Sequence, residues 1–215
     1  MSSTRSESMT GTVEVPFPEY GHPPAEPVGL LRTWLADAAR AEVREPRALA
    51  LATADAAGRP STRVVVINRV TDTGLVFITH EHSRKGREMA ANPWASGLLY
   101  WRETSQQIVV DGPVVRLPRA EAEAMWHARP LYTHAMTTAS RQSSPAGGLD
   151  DVKALRERAL ELGRTGRPLP CPEGFAAYEL RYGSVEFWAN GTDRLHERLR
   201  YDRDGEGWRV GRLQP

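Results

Sequence analysis

Two apolar, β-prone runs set the tightest limit on what this chain can fold into. Arg47-Ala-Leu-Ala-Leu-Ala-Thr53 and Ser61-Thr-Arg-Val-Val-Val-Ile67 are divided by Asp55-Ala-Ala-Gly-Arg-Pro60, a stretch of turn-forming residues, so they pair as an antiparallel hairpin. A helix precedes them. Pro27 opens it, Leu30, Leu31, Trp34, Leu35 and Ala38 recur at helical spacing, and it stops before Pro46. A third run over residues 74–79 follows the turn 71–74 and is expected to continue the meander. Ser83 caps a short helix that Pro93 stops, and strands follow over residues 94–101 and 106–117, the second bent or broken at Gly112-Pro113. Helices over about 119–128 and 150–162 lead to strands over 175–182, 184–188, 195–201 and 208–213. Roughly seven or eight strands without βαβ alternation give a mainly β fold with some helix (α+β): an antiparallel barrel or sheet with helices packed outside.

The polar, then Pro-rich residues 1–24 read as a mobile N-terminal arm, leaving 25–215 as one domain. Twenty-eight basic against 27 acidic residues supply no polyanion-binding surface, so neither nucleic acid nor an anionic membrane is expected as partner. Cys171 is the single cysteine, which excludes a disulfide framework, and no leader or spanning segment is evident, so the chain reads as cytoplasmic.

Several positions could carry chemistry. Ser83-Arg84-Lys85 puts a hydroxyl cap and two cations at a helix start, a seat for phosphate or a solvated basic turn. Arg63 shares a strand face with Val65 and Ile67, and a charge there needs a carboxylate or a bound anion. Alternation over 194–198 aligns Arg194, His196 and Arg198 as a cationic stripe, with Trp188 as an aromatic wall, or else as an exposed strand face beside a core Trp. His80 and His82 have no third ligand at a recognisable spacing and read as loop histidines, so no metal is expected. No nucleophile elbow, dinucleotide fingerprint or phosphate loop of the Walker type occurs.

Arg63-Val-Val-Val-Ile67, Ile78-Thr79, Ser83-Arg-Lys85, Gln107, Arg129-Pro130, Gln142-Ser-Ser144, Glu186-Phe-Trp188 and Arg194-Leu-His-Glu-Arg198 fall in an order and spacing that resembles the pyridoxamine 5′-phosphate oxidases. The likeness runs from about residue 26 to 215. It implies a split β-barrel homodimer with FMN at the subunit interface. By position, Arg63, Arg84 and Lys85 would hold the FMN phosphate above the Ser83 cap. Val64, Val65, Val66, Ile78 and Thr79 would line the flavin, and Gln107, Gln142, Ser143, Trp188 and Arg198 would complete its contacts. Arg129, Thr133, Arg194 and His196 match substrate-facing positions, with His196 the candidate for proton transfer.

Within that family, Met9-Thr-Gly-Thr12, Pro16-Phe-Pro-Glu-Tyr20, Arg44-Glu-Pro-Arg-Ala-Leu-Ala-Leu-Ala-Thr53 and Asn92-Pro-Trp-Ala-Ser96 are most similar to the FMN-dependent oxidases of phenazine biosynthesis. Two departures from the pyridoxal-phosphate-forming enzymes support this. Asn68 stands where a Lys, and Met125 where a Tyr, helps to hold the substrate phosphate, at about 1.5 to 3 kcal/mol per charge-assisted bond. The resemblance therefore implies aromatisation of a dihydro- or tetrahydrophenazine carboxylic acid, with electrons passing by way of FMN to dioxygen to give hydrogen peroxide. A pyridoxine/pyridoxamine 5′-phosphate oxidase, and a flavin- or haem-binding split-barrel protein without turnover, are the alternatives.

Overall fold

The architecture is that of a computed structural model, which describes residues 15–191 and 196–215. Helix α1 (Pro27–Arg40) lays Leu30, Leu31, Trp34, Leu35 and Ala38 against a curled antiparallel sheet, as their spacing demands. Strands β1 (Ala48–Ala54) and β2 (Pro60–Val66) form the expected hairpin, with Leu51 opposite Arg63. β1 also pairs with β5 (Trp94–Trp101), and β5 pairs along its length with β6 (Gln106–Arg116). β8 (Ser184–Ala189), β9 (Glu197–Asp204) and β10 (Gly207–Arg212) complete the order β10-β9-β8-β6-β5-β1-β2.

The structure departs from the expected meander at β4 (Gly74–His80). Instead of continuing from β2, β4 pairs with a two-residue strand β3 (Arg69–Val70) and with β7 (Phe175–Arg181). Nearest-neighbour reasoning could not foresee a partner a hundred residues away. Strand β6 is not broken at Gly112-Pro113. It changes partners there: residues 106–111 pair with β8, and residues 114–116 pair with β7. One strand thus belongs to both sheets, which gives the split-barrel architecture, and the described residues hold ten strands where seven or eight were expected.

Gly112 makes that exchange possible. A Cβ at this position would lie 2.0 Å from the Arg181 carbonyl oxygen and 2.7 Å from the Gly183 nitrogen, where the chain turns from β7 into β8. Only a residue without a side chain admits such an approach.

The main core joins Trp34, Trp101, Phe187 and Tyr201 between α1 and the sheet, with Trp34 edge-on to Phe187 at 5.2 Å. Trp101 donates its indole N–H to the Pro46 carbonyl, so the buried ring leaves no polar atom unpaired. The segment expected to be an arm contributes from residue 15 onward. Phe17 is buried edge-on against Trp34 at 4.8 Å, and the Tyr201 hydroxyl donates to the Pro24 carbonyl. Residues 1–14 lie outside the described residues.

Helices α2 (Arg84–Ala91), α3 (Arg119–Ala128) and α5 (Leu149–Gly163) stand where expected, and α4 (Tyr132–Ala139) is an addition. Three threonines and a histidine make α4 a weak helix by composition. Packing supplies the rest. His134 is buried, its Nδ1 accepts from the Leu169 N–H, and Nε2 therefore carries the ring proton that bonds the Trp126 carbonyl. Among the described residues, no helix is long and apolar enough to cross a membrane.

Gly112→Ala is expected to cost about 1–3 kcal/mol or more, because the obstructing atoms are backbone and cannot swing aside. Gly211→Ala, where a Cβ meets nothing within 4 Å, serves as the control and should be near neutral in the same urea unfolding series.

Candidate active site

The C-terminal end of β4 runs into the Ser83 cap, whose hydroxyl accepts the Gly86 N–H at 3.3 Å and starts α2. This junction gathers the first group of sequence-marked residues. Lys85 is buried, and its ammonium donates to Thr79 Oγ1 at 3.2 Å, Gln142 Oε1 at 3.2 Å and Ser83 Oγ at 3.5 Å. All three partners are neutral, and no carboxylate lies in ion-pair reach of Lys85 among the described residues. Burial, followed by the repulsion of Arg63, pushes the Lys85 ammonium below its ordinary pKa.

Arg63 takes the carboxylate alternative. Its guanidinium bonds Glu88 Oε2 at 3.1 Å, the Leu51 carbonyl at 3.1 Å, Thr53 Oγ1 at 2.5 Å and Ser61 Oγ. Arg84 reaches the other oxygen of the same carboxylate at 2.8 Å. Glu88, unmarked in the sequence reading, is therefore the organising residue of this corner, and its place four residues after Arg84 on α2 was the available signal. Burial favours the neutral acid, yet hydrogen bonds from Ser61, Thr53, Arg84 and Arg63 outweigh it and hold the carboxyl down at about 2.

Beside Lys85 a cavity of about 280 Å³ opens, lined by Ile78, Thr79, His80, Arg129, Gln142 and Phe175 among others. It brings residues assigned to the flavin next to one assigned to substrate. The Arg129 guanidinium lies over the rings of Trp126 at 5.3 Å and Phe175 at 5.4 Å, and its Nη2 donates to Thr137 Oγ1 at 3.2 Å. Its Nη1 is buried with no hydrogen-bond partner among the described residues. An orphaned guanidinium N–H beside an open cavity is a ready donor for an acceptor oxygen.

A second group forms elsewhere on the sheet. Register places Tyr100 opposite Gln107, Gln107 opposite Trp188 and Trp188 opposite Arg198, so these side chains stand in one row on one face. His196 stacks on Trp188 with ring centroids 4.8 Å apart, and its Nδ1 is buried without a partner among the described residues. Two members of the expected cationic stripe, His196 and Arg198, flank Trp188. His196 precedes β9 instead of lying in it, Arg194 is outside the described residues, and Arg198 is neutralised by Glu186 at 2.7 Å. Arg198 also donates to the Gln214 carbonyl, which fixes its pose.

Val64 and Val66 on β2 and the Trp188 row on β8 are far apart along the sheet of one chain. Four strand spacings separate β8 from β2, about 19 Å along the curled sheet at ~4.8 Å per strand. They nonetheless share a surface. Val64, Ala50, Leu98, Val109 and Glu186 form a continuous cross-strand row, and Val64 and Val66 are bare on it, 65% and 62% exposed. Val65 points inward and is buried.

The remaining substrate candidates are scattered. Met125 packs with the cluster of Trp126 and Phe175, while Thr133 bonds the Pro130 carbonyl and passes its own carbonyl to Thr137. Asn68 is exposed in a groove between α1 and β3, with Arg47 donating to its carbonyl. Ser143 is exposed with φ of 67°, a left-handed turn residue. A roomier hollow, about 580 Å³ between α4 and α5, contains none of these residues.

Comparison with known proteins gives a consistent result. The family model described as pyridoxamine 5′-phosphate oxidase matches residues 35–158, and that described as the pyridoxine 5′-phosphate oxidase C-terminal dimerisation region matches 175–215. The chain is 59% identical over 210 residues to a dihydrophenazinedicarboxylate synthase from Pseudomonas chlororaphis, covering 98% of this chain and 93% of that protein. It is 40% identical over 201 residues to a pyridoxine/pyridoxamine 5′-phosphate oxidase from Anaeromyxobacter dehalogenans, covering 94% and 100%. The crystal structure of PhzG from Burkholderia lata 383 in complex with tetrahydrophenazine-1-carboxylic acid superposes with a TM-score of 0.91 at 51% identity, covering 95% of this chain and 100% of that one.

Because the Glu88 carboxyl is held at about 2 against an ordinary 4.5, its network stabilises the fold above pH 4.5 and is lost as pH falls toward 2. The difference is worth about 3 kcal/mol. Glu88→Gln should be less stable than the parent by that order at pH 7, with the gap closing as urea midpoints are measured from pH 4.5 downward.

Proposed function

The chain belongs to the pyridoxamine 5′-phosphate oxidase family, and from that membership we propose that it is an FMN-dependent oxidase of phenazine biosynthesis, acting on a dihydro- or tetrahydrophenazine carboxylic acid. The net reaction removes two hydrogens from the reduced ring system and delivers them to dioxygen as hydrogen peroxide. When bound, FMN supplies the two-electron redox chemistry that no protein side chain offers.

The observation that carries this reading is the buried Lys85, which has only neutral partners within reach among the described residues. Three cations, Arg63, Arg84 and Lys85, stand against the single carboxylate of Glu88. The two net positive charges match a phosphate monoester of about −1.5 to −2 at pH 7. Arg63 and Arg84 are tied to Glu88 and set the field; Lys85 is the donor free to turn toward the phosphate. The β4 end with Ile78 and Thr79, the strand carrying Val64, Val65 and Val66, and Gln142 with Ser143 border this seat.

A second copy of the chain, matched by its C-terminal dimerisation region, would cover the half-exposed apolar face. It would also carry a partner's row of Gln107, Trp188 and Arg198 to the Val64–Val66 edge, closing the distance that one chain leaves open. FMN then lies at the interface of a homodimer.

Arg129, with an Nη1 unpartnered among the described residues, is suited to the substrate carboxylate, and by resemblance Met125 and Asn68 replace the tyrosine and lysine that hold a substrate phosphate. His196 offers a buried, unpartnered Nδ1 for proton transfer beside the Trp188 wall. Arg194 is assigned to the same end of the site by resemblance. The chain's task is to hold the reduced ring against the flavin and to pair its carboxylate.

Anaerobic addition of a reduced phenazine carboxylate should bleach the flavin absorbance, and admission of air should restore it with release of peroxide. A flavin that stays yellow, or efficient turnover of micromolar pyridoxamine 5′-phosphate in its place, would overturn the assignment. Lys85→Gln should weaken FMN binding by about 10- to 100-fold, the loss of one charge-assisted bond, in a fluorescence-quenching titration of the cofactor-free protein.

A further inference from the structure

His80 has no part in the family likeness and was read from sequence as a loop histidine, yet it ends β4 and lines the same cavity as Arg129, Thr79 and Gln142. It is half-buried, opposite Phe175 in the β4–β7 register, with the two rings edge-to-face at 6.3 Å. That packing fixes the imidazole at the wall of the cavity, where the flavin-assigned and substrate-assigned residues meet.

The charges around His80 are of one sign. Lys85 faces it from α2, Arg129 from the end of α3, and His82 from the following loop. The adjacent carboxylate, Glu81, is drawn off by Arg116 at 2.6 Å and by His82 at 3.5 Å. α4 and the 140–142 segment contribute Met136, Thr137, Ser140 and Gln142, none of them charged. Burial, then Lys85, Arg129 and His82 in turn, lower the imidazole pKa, so the ring is neutral at neutral pH.

We propose that His80 is a further ligand-binding residue of the oxidase, which bonds an anionic oxygen of the molecule held in this cavity and takes up a proton from solvent as that molecule enters. The inference rests on the functional reading above for the identity of the ligand, an aromatic carboxylate; the shared chemistry of a carboxylate and the cofactor's phosphate defines the two possible sources. An anion arriving between Lys85, Arg129 and His80 offsets the repulsion that keeps the ring neutral. The imidazole then gains a proton, becomes a second donor beside Arg129 Nη1, and makes affinity pH-dependent. The sign is fixed: the complex holds the proton more tightly than the free protein, so binding weakens as pH rises through the pKa of the complex.

Calorimetric titration of the FMN-loaded protein near pH 7 with phenazine-1-carboxylate, in two buffers of different ionisation enthalpy, reads the proton count directly. Uptake approaching about one proton per site is expected, falling to near zero in His80→Gln. Affinity should fall, by up to about tenfold per pH unit, as pH rises across neutrality in the parent and stay flat in the variant. Flavin content and thermal midpoint check that His80→Gln is folded, and His80→Asn provides a second replacement. Titration of the cofactor-free protein with FMN in the same buffers separates the sources. Uptake with the carboxylate places His80 on the substrate, and uptake with FMN alone places it on the cofactor phosphate. No uptake with either, or undiminished uptake in both variants, overturns the proposal. 1-Naphthoate, which has no redox chemistry, keeps this test apart from the functional one. If it shows His80-dependent uptake while a reduced phenazine leaves the flavin yellow, the seat stands and the phenazine reading falls.

Discussion

A single buried carboxylate organises the corner of this protein where an anionic ligand would sit. Glu88 projects from α2 and accepts from Thr53 on β1, from Ser61 and Arg63 on β2, and from Arg84 on its own helix. Those bonds join a helix start to two strands and satisfy a guanidinium that would otherwise be stranded against the core. They also consume both oxygens of Glu88. Lys85, the third cation, is left with hydroxyl and amide partners, and the cluster keeps a net positive charge. On the proposed reading, structure and ligand binding thus use different members of one charged group.

The same economy governs the sheet. Strand β6 serves two sheets and β7 turns into β8 around Gly112, so the β4 end and the β8–β9 end are fixed by one continuous frame. Within that frame, side chains of a single sheet face carry Val64 and Val66 at one margin and Trp188 with Arg198 at the other. Symmetry is the economical way to bring such margins together, because an isologous contact pairs each margin with the opposite one of the partner.

Local pattern accounts for most of the elements. Helix α1, the β1–β2 hairpin, the Ser83 cap and the strands of the C-terminal third follow from alternation, turn residues and caps. Long-range pairing did not follow. The β4–β7 partnership and the exchange at Gly112 depend on which distant edge is free, which no window of sequence contains. Helix α4 escaped because its composition is poor for a helix and its stability comes from His134 packed on Trp126. At the site, residue type and pattern marked Lys85 and Trp188, the family resemblance added Gln142 and Arg129, and the structure sets Lys85, Gln142 and Arg129 around one seat. Their partners were hidden. Glu88 and Glu186 decide which arginines are neutralised, yet each reads in sequence as an ordinary surface acid. Of the stripe over 194–198, His196 and Arg198 stand by Trp188, Glu186 neutralises Arg198, and Arg194 lies outside the described residues.

The bare valines of β2 have a cost for the chain before it is assembled. β2 ends its sheet, so one row of its backbone groups has no neighbouring strand in the main order, and Val64 and Val66 stand uncovered on it. An open edge carrying β-branched apolar residues is a template for indiscriminate strand addition. If a second copy covers this edge as proposed, a newly made chain exposes a sticky margin until that copy arrives. The yield of usable protein depends on how fast two chains meet relative to how fast they aggregate, a kinetic competition set by expression level and temperature as much as by the stability of the fold.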